Sequence, residues 1–323
     1  MSTGCGGLVD YAEVGDPTAG SNETAGSDET ADSDETADQG TTSSGPLDEP
    51  EDNVDCSGAF GTEEVLFEDV GWYPQALSPT RDGLEFFYAR LAHDISLDDS
   101  GERQITVRRR RSLDEPFGEP QAVAELSGLC SFVAPGTEVA ALDVTEDGLR
   151  LYVGCNTFSA GAYPNGPLMM ASRPDRSSPF VVDPQPVGAI GVSIGISRDE
   201  RSAFGTSRDP SVDSVLVYQR ASTSEVFGEA QLAPGVPDLI NPEPAPGGLH
   251  LMGVDRVGGQ AQLVITERAD LDSPFGVPTS EGLPTPPEQE NDYSPALGAD
   301  CRTLYFTRIR FSPKQAQVMV VRR

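Results

Sequence analysis

From about residue 57 to the C-terminus the chain runs in short stretches of alternating apolar and polar residues, broken by Gly, Pro and Asp. A 3.6-residue helical period does not persist anywhere, so the pattern predicts strands and tight turns. Three pieces of it recur. The first is a Phe, most often followed by Gly, at positions 60, 117, 180, 227 and 275, which are 57, 63, 47 and 48 residues apart. The second is a small or Pro-containing strand, a turn with Asp or Gly, then an apolar strand. It reads Ala76-Leu77-Ser78-Pro79 to Asp82-Gly83 to Phe86-Phe87-Tyr88, and returns around Asp147-Gly148, Asp199-Glu200, Gly247-Gly248 and Asp300-Cys301. The third is an apolar strand ending in Arg, at 105–108, 168–173, 215–220, 263–268 and 318–322.

A period near fifty residues, several short strands per period and Gly/Asp turns predict an all-β, five-bladed β-propeller over residues 57–323. The order of the pieces also predicts how the ring closes. Phe60 comes first in the chain although its signature elsewhere ends a repeat, and the chain stops on the Arg-terminated strand that elsewhere precedes such a Phe. The N-terminal strand is therefore expected to complete the last blade beside the C-terminal one, which removes two free sheet edges. A sixth blade would need a repeat within 118–140, where no turn-plus-strand pair is seen.

The segment 78–88, Ser-Pro-x-x-Asp-Gly-x-x-x-x-Tyr, echoed at 145–153 and 294–306, resembles the TolB-type, WD40-like propeller repeat. The resemblance spans essentially everything after residue 56. It implies the fold and, since such repeats are typically extracytoplasmic in bacteria, a location at the cell envelope or outside the cell. For function it implies little, because these blades serve binding proteins, peptidase gates and scaffolds.

Composition changes the picture upstream. Residues 1–80 hold 19 Asp and Glu and no Lys or Arg, which is most of the net charge of −30. The hexads TAGSNE, TAGSDE and TADSDE at 18–35 have almost nothing apolar to bury and repel themselves, so residues 1–56 are expected to be a disordered acidic linker. The same charge argues against nucleic acid as a partner. No apolar stretch is long enough to span a bilayer, and any membrane association would run through a lipid anchor. Ser2-Thr3-Gly4-Cys5-Gly6 resembles the cleavage end of a bacterial lipoprotein signal and implies lipidation at Cys5, although the apolar segment that should precede it is not present.

The remaining cysteines, Cys56, Cys130, Cys155 and Cys301, allow three disulfide pairings, and sequence does not choose among them. The expectation is Cys56 with Cys301, which would staple the ring shut, and Cys130 with Cys155. With two His (His93 and His250) and no Cys-x-x-Cys pair, neither a metal site nor a cofactor is expected. Asp82-Gly83 and Asp147-Gly148 read as hairpin turns. Arg108-Arg109-Arg110-Arg111 reads as a solvated strand end or as partners of Asp114 and Glu115, and Trp72-Tyr73 as packing between blades.

Two functions remain. The first is a monomeric, non-enzymatic binding or scaffold module that recognises a protein or glycan. The second is a five-bladed glycoside hydrolase, which needs paired carboxylates at the funnel. Asp143, Glu243 and Asp292 are the candidates, but they are read as sitting in differing registers and as lacking stacking aromatics, since the chain has one Trp. Binding is the expected function.

Overall fold

The computed structural model describes residues 56, 58–92, 103–133, 138–156, 166–209, 212–237, 239–257, 259–311 and 314–323. The acidic tract, Cys5 and His93 lie outside the described residues. Five antiparallel sheets follow one another around an axis. Blade 1 comprises Trp72–Pro79, Glu85–Ala92, Gln104–Arg109 and Gln121–Ala122. Blade 2 comprises Glu138–Val144, Arg150–Asn156 and Gly166–Ser172, edged by Val181–Val182 and Gly188–Ile190. Blade 3 comprises Gly195–Ile196, Ser202–Asp209, Val212–Gln219 and Gln231–Pro237. Blade 4 has Ile240–Pro244, His250–Val257 and Gln260–Glu267, with a bridge from Ile265 to Thr279 at its outer edge. Blade 5 is Glu290–Leu297, Thr303–Phe311 and Lys314–Arg322, completed by Glu64–Glu68 from the start of the domain. The ring therefore closes as its sequence order predicts. The 118–140 segment carries a 3-10 turn, Ala124–Leu126, and a short helix, Leu129–Val133, instead of a sixth blade.

Each seam between blades is a separate apolar cluster, because the second strand of a blade is buried on both faces. Phe86 faces blade 5, among Phe67, Tyr305 and Val318, while its neighbour Phe87 faces blade 2, among Leu142, Val144 and Phe180. The period of two along a strand sends alternate side chains to opposite seams. Equivalent clusters join blades 2 and 3 through Tyr152 and Phe227, 3 and 4 through Phe204 and Phe275, and 4 and 5 through Met252 and Phe306.

The Phe and Arg signatures are one device. Arg110, Arg173, Arg220 and Arg268 each stack on the Phe seven residues later, with guanidinium-to-ring distances of 4.5, 4.6, 4.3 and 4.6 Å. Each also donates from Nε to a hairpin carbonyl of its own blade: Gly83, Gly148, Glu200 and Gly248. The fifth copy joins the chain ends, with Arg323 stacked on Phe60 at 4.4 Å and bonded to the Cys301 carbonyl. Arg110 and Arg323, rather than the expected Arg108 and Arg322, fill the first and last positions. The Phe amides then reach across the seam: Phe60 to Gly282 O, Phe227 to Val187 O and Phe275 to Pro234 O.

The hairpin turns behave as their residues dictate. Asp82, Asp147, Asp199 and Asp300 each accept the amide two residues on. The next position is left-handed in all five blades, filled by Gly83, Gly148, Glu200, Gly248 and Cys301. In blades 1, 2 and 4 the space beside this residue is taken by Leu113, Arg176 and Leu271, each four residues before its Phe. Cys56 stands four before Phe60, and here the contact is covalent: Cys56 is bonded to Cys301, with Cα atoms 4.9 Å apart. The second disulfide, Cys130–Cys155, ties the helical insert to blade 2.

Candidate functional site: the axial channel

The innermost strands of successive blades touch in the order 1-2-3-4-5-1 and enclose a channel. Their register is set from the hairpin turn, since Ser78, Asp143, Gly195, Glu243 and Ala296 each lie opposite the residue nine positions later: Phe87, Tyr152, Phe204, Met252 and Tyr305. Asp143 and Glu243 thus share one layer, which corrects the expectation of differing registers. The cause is a bulge in the inner strand of blades 1, 2, 4 and 5, which shifts any count taken from the upstream side. Three residues further along, Arg81, Glu146, Arg198, Pro246 and Ala299 form a second layer at the mouth. Glu146 joins its neighbours, 3.8 Å from Arg81 and 3.1 Å from Arg198.

Between the layers lies a cavity of about 60 Å³, and below it a smaller one of about 20 Å³; Glu243 lines both and so marks the waist. Asp143 is buried and its two oxygens are engaged from opposite sides. Oδ1 accepts the Ser78 hydroxyl of blade 1 at 2.6 Å, and Oδ2 accepts the Ile196 amide of blade 3, also at 2.6 Å. Burial outweighs these bonds and pushes the carboxyl up to about 6. Glu243 comes to the same short strand, Gly195–Ile196, from blade 4. A β-carbon at residue 195 would lie 2.5 Å from both the Pro242 carbonyl oxygen and Pro244 Cδ and 2.9 Å from Glu243 Oε2, so glycine is what lets the blade 4 strand come this close. Burial, then repulsion from Asp143, hold Glu243 well above the usual carboxylate range.

Asp292 does not join them. It is buried against Arg308, which donates Nε to Oδ1 at 2.8 Å and Nη2 to Oδ2 at 2.9 Å, with Glu63 on the same guanidinium. The Arg run is solvated in part: Arg109 and Arg111 are exposed, while Arg110 stacks on Phe117. Arg108 is buried on Asp69 and the Tyr88 hydroxyl, and Arg109 pairs with Glu85 at 2.7 Å, in place of Asp114 and Glu115. The Asp and Glu that attract them lie on neighbouring turns and strands, which one-dimensional proximity does not reveal. Tyr73 packs across the blade 5 seam with Ile309 and Ala316, while Trp72 is half-buried under Arg90. His250 lies 3.6 Å from Glu267, and among the described residues no group of three or more His, Cys, Asp or Glu could hold a metal ion.

One further cavity, about 500 Å³, opens between blades 1 and 2 where the helical insert replaces a long outer strand; Arg109, Arg173, Arg176 and Phe180 line it. Sequence reasoning had no signal for it beyond the irregular length of 118–140.

No protein-family model matches the chain, and no curated protein matches it. Solved structures do. The GH43_1 enzyme from Xanthomonas citri complexed with xylose is 13% identical over 79% of this chain and 89% of its own, with a TM-score of 0.50. The GH43 endo-arabinanase from Bacillus licheniformis is 10% identical, covering 78% and 96%, with a TM-score of 0.48. TolB from Acinetobacter baumannii is 11% identical over 77% of this chain, with a TM-score of 0.41, and this chain spans 54% of that protein's length. At such identities the likeness is one of fold, and the chain is a five-bladed β-propeller.

Proposed function

We propose that this propeller is a non-enzymatic binding or scaffold module that works outside the cytoplasm, recognising a protein or glycan at the bacterial envelope. The carrying observation is what has become of the carboxylates a hydrolase would need. Asp143 spends both oxygens on donors from the adjoining blades, and Asp292 is locked to Arg308. That leaves Glu243 without a second free carboxylate in its layer, whereas glycoside hydrolysis takes two flanking the scissile bond. The cavity above it, about 60 Å³, is also small beside the roughly 300–1,000 Å³ of typical small-molecule sites. Two disulfides support an oxidising compartment.

The test has two arms. The full chain, immobilised and exposed to solubilised envelope fractions, should retain a specific partner. Incubated with arabinan and with xylo-oligosaccharides, it should release no reducing ends. Release that disappears in Glu243→Gln would replace this reading with the hydrolase.

A further inference from the structure

The two layers of the channel differ in how well their charges are met. At the mouth, Glu146 is paired with Arg81 and Arg198. Below, Asp143 takes a hydroxyl and an amide. Glu243 alone in this layer has a carboxyl that accepts no hydrogen bond from the described residues, and it faces the channel where the two cavities meet. Glu243 is half-buried in the channel wall, so a carboxyl that finds no donor among the described residues is open to one brought in from outside. The strand that carries it approaches blade 3 at Gly195, where the other blades bear side chains.

The dimensions and donors select among cations. A calcium ion takes six to eight oxygens, and two carboxylates with one already saturated fall short of that. A guanidinium brings five N–H donors on a broad planar fork, and Glu243 is the one carboxylate of this layer with oxygens to spare, which leaves most of those donors unmet. An ammonium needs only a compact space, one negative partner and rotatable donors. A cavity of about 60 Å³ below the mouth layer admits such a head on a thin aliphatic stem. The mouth arginines also suit the carbonyl or carboxylate groups that accompany an amine on a peptide.

We propose that Glu243, with Asp143 beside it, forms a site at the channel waist for a single primary ammonium group presented by a partner, as a lysine side chain or a chain N-terminus. This deepens the binding reading and rests on it. The ammonium pairs with the ionised Glu243 carboxylate, and because burial raises that carboxyl above its ordinary range, binding strengthens as pH rises.

The probe is n-butylammonium chloride, titrated calorimetrically into the full chain at pH 7 in two buffers of different ionisation enthalpy. The expected result is one site, release of up to about one proton, and binding weakened about tenfold or more in Glu243→Gln. Glu225→Gln, an exposed change away from the channel, should bind as the wild type does. Tetramethylammonium, which cannot donate, should bind far more weakly. Carboxyl carbon resonances of the wild-type protein give a reading that needs no variant: the Glu243 titration midpoint should fall when the probe saturates. Absence of binding, equal binding by Glu243→Gln, equal binding by tetramethylammonium or an unmoved midpoint would each overturn the site. Peptides with a lysine and a blocked N-terminus, against peptides with a free N-terminus and no lysine, identify the source of the amine. An envelope partner held equally by wild type and Glu243→Gln would remove the ammonium site while leaving the binding reading in place.

Discussion

Replacing the closing disulfide by the pair that other blades use in its place separates packing from covalent linkage. In blades 1 and 4 the position of Cys301 is Gly and that of Cys56 is Leu. The double variant Cys56→Leu/Cys301→Gly therefore restores a side-chain contact the fold already employs, and relieves a non-glycine residue held at φ 55°. What it removes is a cross-link spanning 245 residues. The chain-entropy relation gives about 5.5 kcal/mol for a loop of that size, against about 3.5 kcal/mol for the 25-residue span of Cys130–Cys155. For a domain of this size the larger loss corresponds to a melting temperature roughly 10–20 °C lower. Urea unfolding under non-reducing conditions, followed by the fluorescence of the single Trp, Trp72, measures it. The unfolded chain keeps only the short Cys130–Cys155 link and exposes more surface, so the denaturant slope should also rise. A double variant within about 1 kcal/mol of the oxidised protein, with an unchanged slope, would refute the reasoning and place the value of the bond in local packing.

Other outcomes follow from the channel and the seams. Gly195→Ala should cost about 1–3 kcal/mol, because its β-carbon meets the Pro242 carbonyl oxygen and Pro244 Cδ at 2.5 Å and Glu243 at 2.9 Å; thermal melts of it and of the double variant Gly195→Ala/Glu243→Ala show whether backbone or carboxyl dominates. Arg220→Lys should destabilise by about 3 kcal/mol or more despite keeping its charge, since a lysine cannot reach the Glu200 carbonyl and the Tyr152 hydroxyl while stacking on Phe227; urea titration reads this directly. Asp143 titrates near 6 in the folded chain against an ordinary 3.8, so the folded state binds the extra proton and stability falls as pH rises through that window. The fall attributable to this buried group is about 2.5 kcal/mol between pH 4 and pH 7.5, and Asp143→Asn should flatten it; parallel stability curves for the two proteins would contradict the assignment.

The propeller and its mode of closure were legible because both rest on local chemistry that recurs from blade to blade: an apolar strand and an Arg facing a Phe in all five, a turn Asp in four and a left-handed Gly in three. The closing pair of cysteines was expected from their places near the two chain ends, but sequence left three pairings open and the structure chose among them. The channel was half legible. Asp143 and Glu243 were named as candidates, but a bulge of one residue concealed their shared layer when the strand was read forward. Counting back four residues from Asp147 and Gly247 would have aligned them. Asp292 misled for a different reason. It lies on an innermost strand like the others, and only the partner strand shows that Arg308 faces it. The same limit applies to Arg108 and Arg109, whose acids come from Asp69 and Glu85. Charge partners across a sheet are set by register, which neighbours in sequence do not encode.

The bond between Cys56 and Cys301 also settles how the domain carries load. Tension applied through the residues that precede Cys56 enters the protein at that sulfur and passes at once into the 298–302 hairpin of blade 5. The strand Glu64–Glu68, held to Lys314–Arg322 by a ladder that force could peel rung by rung, lies downstream of the bond and outside the load path. The opposite end arrives at the same place, since Arg323 donates to the Cys301 carbonyl and to Gly58. Both ends of the domain are thus riveted to one turn. A pull from upstream is borne by a covalent bond before any hydrogen bond of the sheet is strained.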